Sequence, residues 1–259
     1  MNKSKRRKNS FIPHPTSHIP RLSSLIPSFS RRSYELEHLD KGDYTPAEYE
    51  VCLVELRRVN EWLGDARALR RSLLTEIERV NLREFSVLDV GAGSGELLRV
   101  VAGAARQSGR NASLVGLELN ERAARAILEE SRAYEEISAV RGDAFRLPFA
   151  ARSFDFVLCS LFTHHFRDEP VVHILREFAR VARRHVFVID LHRHPVAYYF
   201  YTTVARLFLR NRLIREDGAL SILRSFKPAE LRRLAEQAGW KSIKVRRRFP
   251  YRLVLSGEA

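Results

Sequence analysis

Two groups of residues in this chain could do chemistry. The first is Asp89-Val90-Gly91-Ala92-Gly93-Ser94-Gly95, with Glu118 following 23 residues after Gly95. Glycines at a strand-to-helix junction let the backbone turn tightly and let a ligand approach the main chain. A carboxylate at the end of the next strand can accept hydrogen bonds from both hydroxyls of a ribose. The loop lacks the Gly-Lys-Ser/Thr ending of a phosphate-binding loop. Its spacing is Gly-x-Gly-x-Gly rather than the Gly-x-Gly-x-x-Gly of dinucleotide sites, with an aspartate two residues ahead.

The second group is the histidine pairs, His164-His165 and His192 with His194, together with Asp190. An imidazole titrates near working pH, which suits a general base. Asp190 could orient one of them or bind a substrate; packing or helix capping is the structural alternative for each. The run Pro195-Val196-Ala197-Tyr198-Tyr199-Phe200-Tyr201 could line an apolar pocket, pack in the core or form an interfacial surface. Arg206, Arg210, Arg212 and Arg215 follow it and could face anionic lipid. Cys159 lies within a strand-like run and reads as buried and inert. His14, His18, His38, His173 and His185 have no ligand spacing, so no metal site is expected.

These residues need elements to position them. Phe85–Val90 reads as a short buried strand, followed by a helix over 95–107, a strand over 112–118, a helix over 121–133 and strands over 137–141 and 154–160. A helix over 170–183 and a strand over 185–190 come next. Strands alternating with helices predict an α/β fold of Rossmann-like, doubly wound type, with a mostly parallel seven-stranded sheet. Both chemical groups then fall in loops at the carboxyl edge of the sheet, where open α/β sheets bind ligands. Toward the C-terminus the pattern predicts helices at 195–210 and 228–238 and strands at 242–247 and 251–256.

Ahead of the sheet, Thr45-Pro46-Ala47-Glu48 has capping-box spacing and opens a helical pattern that runs to Leu63; a second runs from Ala66 to Val80. Residues 45–82 are therefore expected to form an N-terminal helical cap, a lid or a packing layer. The net charge of +14 is uneven: residues 1–34 hold eight basic side chains and no acid. Residues 1–44 read as a basic extension outside the fold, with order beginning near Thr45, and the extension could touch a membrane surface. Two cysteines exclude a disulfide framework, and no apolar run is long enough to span a bilayer. A cytoplasmic location, peripheral to the membrane through the tail, is the expectation.

The glycine loop, Glu118, Gly142-Asp143-Ala144, Leu147-Pro148-Phe149 and Ser153-Phe154-Asp155-Phe156-Val157 together resemble the class I S-adenosylmethionine-dependent methyltransferases. Ser160-Leu161-Phe162-Thr163-His164-His165-Phe166 is similar to a segment of the ubiquinone- and menaquinone-biosynthesis subgroup (methyltransferase type 11). The resemblance covers residues 85–190 and implies that 83–259 form the methyltransferase domain, with a helical insertion at about 195–225. It implies S-adenosyl-L-methionine as cofactor, surrounded by Asp89, Gly91, Ala92, Gly93, Gly95, Glu118, Leu119, Asp143, Ala144 and Ser160. His164, His165, His192 and Asp190 become the candidates for acid–base work on the acceptor. Asp190-Leu191-His192-Arg193, Glu216-Asp217-Gly218-Ala219-Leu220-Ser221, Phe226-Lys227-Pro228-Ala229-Glu230-Leu231 and Arg248-Phe249-Pro250-Tyr251-Arg252 look like a bacterial subgroup associated with type III polyketide synthases. That resemblance implies a small phenolic, polyketide-derived or lipophilic acceptor. An RNA methyltransferase is disfavoured because the charge sits mainly on the tail and no Asn-Pro-Pro-Tyr-type motif follows the fourth strand. A non-catalytic cofactor-binding scaffold remains the alternative from another class.

Overall fold

The computed structural model describes residues 27–258 apart from 43, 46–47, 49–50, 53–63 and 210. Seven strands form one sheet in the order β3-β2-β1-β4-β5-β7-β6. They are β1 (Glu84–Val90), β2 (Asn111–Glu118), β3 (Ile137–Arg141), β4 (Phe154–Ser160), β5 (Ala182–Leu191), β6 (Lys241–Arg248) and β7 (Arg252–Glu258). β1 to β5 pair in parallel, and β7 pairs antiparallel with both β5 and β6. The expected doubly wound, mostly parallel α/β fold is therefore present. The inner strands are largely apolar because helices cover both faces.

Ahead of β1 lie α1 (His38–Lys41), α2 (Asp65–Leu69), a π-helical turn (Arg70–Leu74) and α3 (Thr75–Val80). Within and after the sheet come α4 (Glu96–Gln107), α5 (Glu121–Glu130), α6 (Asp168–Val181), α7 (Pro195–Phe208), α8 (Arg212–Arg224) and α9 (Pro228–Gln237). α4 buries Leu97, Leu98, Val101, Ala102 and Ala105, a helical-period stripe. With Leu69, Leu73 and Ile77 it covers one face of the sheet. α6 and α9 cover the other face through Val171, Leu175, Phe178, Leu231 and Leu234. Asn120 caps α5 by accepting the backbone N–H groups of Arg122 and Ala123.

The chain ahead of the sheet departs from expectation. Order does not begin near Thr45. Arg32 is buried, and its guanidinium donates to Arg224 O (2.7 Å), Phe166 O (2.8 Å), His164 O (3.2 Å) and Asp168 Oδ1 (2.8 Å). It lies 4.0 Å from the Phe226 ring centroid. Glu37 is buried as well, and α1 docks on α8 because Asp217 accepts from His38 N and Leu39 N. The extension therefore stops short of Arg32, whose four hydrogen bonds belong to the fold. The reason is a buried polar anchor, which leaves no hydrophobic periodicity in the sequence. The capping box at Thr45 forms, with Thr45 N donating to Glu48 Oε2 (2.9 Å) and Glu48 N to Thr45 Oγ1 (3.2 Å). Most of the helical pattern that follows it, and the basic run Lys3–Lys8, lie outside the described residues.

α7 places its aromatic run mainly outward. Val196, Tyr199 and Phe200 are exposed, whereas Ala197 is buried and Tyr201 donates to Ile214 O (2.6 Å). Gly218 makes room for that tyrosine: a Cβ there would meet Tyr201 Oη at 2.1 Å. Arg212, one of the basic residues after the run, pairs with Glu48 at 2.9 Å.

Candidate active site

The carboxyl edge of the sheet gathers most of the expected residues. The loop after β1 holds Gly91, Gly93 and Gly95 at positive φ, with Gly93 N donating to Glu118 Oε1 at 2.6 Å. Gly91 is glycine for space as well, since a Cβ would lie 2.9 Å from Phe162 Cδ2. Asp143 Oδ1 accepts Phe145 N at 2.9 Å, which shapes the turn after β3. Ala144 is buried beneath it, and Leu119 is exposed beside Glu118.

Two polar atoms at adjacent strand ends have no hydrogen-bond partner: Asp89 Oδ1 at the end of β1 and Ser160 Oγ at the end of β4. Burial, with the Glu118 charge adding to it, pushes the Asp89 carboxyl up to about 8. Burial raises Glu118 too, although its hydrogen bonds from the Gly93 and Leu119 backbone oppose the rise. Orphaned buried polar atoms are rare in folded proteins and call for a partner. A cationic, hydroxyl-bearing molecule fits this set. Asp89 and Glu118 would take its ammonium and ribose, and the glycines would allow the close approach. S-adenosylmethionine supplies a methyl group already activated on a sulfonium, with an ammonium and two ribose hydroxyls.

Next to this edge, β4 leaves the sheet through Leu161, whose φ is +50°, into a single 3₁₀ turn, Thr163–His165. Asp190, fully buried near the end of β5, holds that turn. It accepts from Thr163 Oγ1 (2.5 Å) and His164 N (3.1 Å) on Oδ2, and it bonds His164 Nδ1 (2.7 Å) through Oδ1. Burial alone would raise this carboxyl; the His164 imidazole and the hydrogen bonds outweigh it and bring it down to about 2. His164 is buried, and its ring lies 4.3 Å from that of His165.

His165 has 31% of its side chain exposed, and its Nδ1 faces Asp40 Oδ1 at 3.6 Å and Glu37 Oε2 at 4.0 Å. The imidazole of His165 beside it, with Arg224, holds Asp40 well below the usual carboxylate range. Burial raises Glu37 against the pull of His165, Ser221 and Arg224. Arg224 Nη1 reaches Asp40 Oδ2 at 2.6 Å, and its Nη2 donates to His165 O at 2.6 Å. Glu37, His164 and His165 offer donor atoms within 4.8 Å of one another, a grouping that metal-ligand spacing along the chain did not reveal. Arg224 Nη1, 3.7 Å from Glu37 Oε1, supplies a counter-charge there.

His164, His165 and Asp190 thus converge. His192 and His194 do not join them. Their rings lie 5.4 Å apart on the wall of a separate cavity, and His194 stacks on Tyr251. Sequence reasoning missed Arg32, Glu37, Asp40, Thr163 and Arg224. Glu37 and Arg224 lie far along the chain from His165, and only the capping-type local pattern of Glu37 and Asp40 could have signalled that this segment is structured.

Known proteins resemble this chain in sequence and in fold. Residues 87–185 match the family model of the methyltransferase domain. The demethylmenaquinone methyltransferase of Staphylococcus aureus is 26% identical over 171 residues, covering 61% of this chain and 69% of that protein. A SAM-dependent methyltransferase from Aquifex aeolicus superposes with a TM-score of 0.54 at 18% identity, covering 75% of this chain and 89% of that one. Magnesium protoporphyrin IX methyltransferase from Synechocystis PCC 6803, with bound SAH, superposes with a TM-score of 0.55 at 18% identity, covering 76% and 84%. The fold is that of a Rossmann-like transferase domain. Its loop and acids, with the methyltransferase-domain match over residues 87–185, support a class I S-adenosylmethionine-dependent methyltransferase with S-adenosylmethionine as the cofactor.

Proposed function

We propose that the protein transfers a methyl group to a small phenolic, polyketide-derived or lipophilic acceptor at the turn after β4. Asp89, Glu118, Asp143 and Ser160, with the loop from Gly91 to Gly95, hold the cofactor. The observation that carries this reading is the Asp190 bracket. An ionised buried carboxylate fixes Thr163 and His164, and His164 packs against the more exposed His165. Of the two imidazoles, His165 is the one an acceptor can reach. Its Nδ1 lies toward Asp40 and Glu37 without a hydrogen bond, and the imidazole takes a proton from an acceptor hydroxyl or acidic carbon. The name of the Staphylococcus aureus relative, a methyltransferase of demethylmenaquinone, supports a lipophilic ring as acceptor class. Methyl transfer otherwise needs in-line positioning and exclusion of water.

The test is a labelled-cofactor screen for the acceptor, followed by His165→Ala. Turnover should fall about 10²–10⁴-fold with S-adenosylhomocysteine affinity unchanged, and higher pH should partly restore it as a phenol ionises unaided. Full activity in the variant would leave proximity alone as the mechanism and remove His165 from it.

A further inference from the structure

The cavity that carries His192 and His194 has a volume of about 610 Å³ and lies at the carboxyl end of β5, against the turn between β6 and β7. Its wall is strongly positive. Lys227, Arg247 and Arg248 line it, with Arg193 and Arg252 behind, and no aspartate or glutamate does. Two of these cations are paired off: Arg193 with Glu230 and Arg252 with Asp65. Among the described residues, Lys227 and Arg247 make no salt bridge, and Arg248 Nε is buried without a hydrogen-bond partner. Arg248 also sits directly across the ladder from Arg252. Like charges directly opposite one another are destabilising unless something offsets them. Phe29, Phe249 and Tyr251 complete the wall with aromatic surface.

Asp190 and His192 are two residues apart along the β5 direction, and residues two apart share a face. His192, on the cavity wall, therefore stands about 7 Å along the chain direction from Asp190. We propose that this cavity binds an oxyanion, a carboxylate or a phosphate, carried by the aromatic or lipophilic methyl acceptor. The proposal rests on the acceptor reading above and extends it to the charge of the substrate. Lys227, Arg247 and Arg248 hold the anion, while Phe29, Phe249 and Tyr251 pack on the attached ring. His192 reports the same excess of positive charge. Burial first, and then His194, Arg247, Arg193 and Lys227, depress its imidazole to about 4.

The experiment is calorimetric titration of the full chain with benzoate, with its neutral isostere benzamide and with inorganic phosphate, at constant chloride. Benzoate or phosphate should bind at least about tenfold more tightly than benzamide, since the charged partners reward only the anion. The stronger of the two identifies the oxyanion as carboxylate or phosphate. Arg247→Gln and Lys227→Gln should each weaken that anion about tenfold, and anion binding should move the His192 ring resonances. Equal binding of benzoate and benzamide together with no phosphate binding, or unchanged anion affinity in both variants, overturns the proposal. S-adenosylhomocysteine titrated into the same samples reports on the methyltransferase reading separately: its loss in the unaltered protein would sink that reading, whereas its retention alongside failed anion binding sinks only this one.

Discussion

At the scale of single residues, Asp89 has the environment with the clearest consequence. Its carboxyl is fully enclosed, one oxygen is unpartnered, and its folded-state value of about 8 stands far above that of an unfolded aspartate. The folded protein therefore keeps a proton on Asp89 in a pH range where the unfolded chain has lost it. Stability contributed this way is full below about pH 4 and is lost as pH rises toward about 8. Melting temperatures of the cofactor-free protein and of Asp89→Asn should diverge with pH across that window, the native protein losing stability more steeply. Parallel curves would mean that Asp89 is not held protonated. Asp190, two strands away in the same sheet, shows the opposite case. Equally buried, it stays ionised because His164, Thr163 and a backbone N–H satisfy it. Partners, rather than depth, separate the two carboxylates.

At the scale of elements, the loop from β1 to α4 can be tested apart from the fold. Gly93 has φ of +59°, and a Cβ there would meet no protein atom within 4 Å. Gly109, at the start of the turn into β2, has φ of +62° and equally open surroundings, but it lies at the other edge of the sheet. Alanine at either position should cost about 1–2 kcal/mol from the left-handed backbone alone. Only the Gly93 variants should lose cofactor. Gly93→Arg should weaken S-adenosylhomocysteine binding beyond detection by calorimetry, while Gly109→Ala binds normally. Equal affinities in all three proteins would displace the cofactor from this loop.

At the scale of the whole molecule, the segment ahead of the sheet is tied to the acceptor side by buried polar contacts. Arg32 joins the histidine turn, the start of α6 and the end of α8 in one hydrogen-bonded node. Removing one partner of such a buried node leaves charges and carbonyls unsatisfied, which typically costs about 3–5 kcal/mol. Arg32→Ala should therefore show a loss of that size in denaturant unfolding, whereas its exposed neighbour Arg31→Ala should be neutral. A neutral Arg32→Ala would return the segment to the status of a dispensable extension. The described residues contain no helix long and apolar enough to cross a membrane.

The strand and helix order from Phe85 to Leu191 was legible in the sequence because each element announces itself locally, whereas α8 was not read as a helix of its own. β4 carries the apolar run Phe156–Cys159, α4 and α6 carry helical-period stripes, and the glycine loop with Glu118 falls at the junctions between them. The same local logic placed His164, His165 and Asp190 at one sheet edge. Their division of labour was decided only by tertiary structure. Which imidazole is buried, which faces Asp40 and Glu37, and why His192 belongs to a different cavity all depend on contacts between residues far apart in the chain. The same holds for Arg32 and for the convergence of Lys227 with Arg247. Periodic burial of apolar groups leaves a repeating pattern in the sequence, whereas a buried hydrogen-bonded charge needs only one partner at any sequence distance and so leaves none.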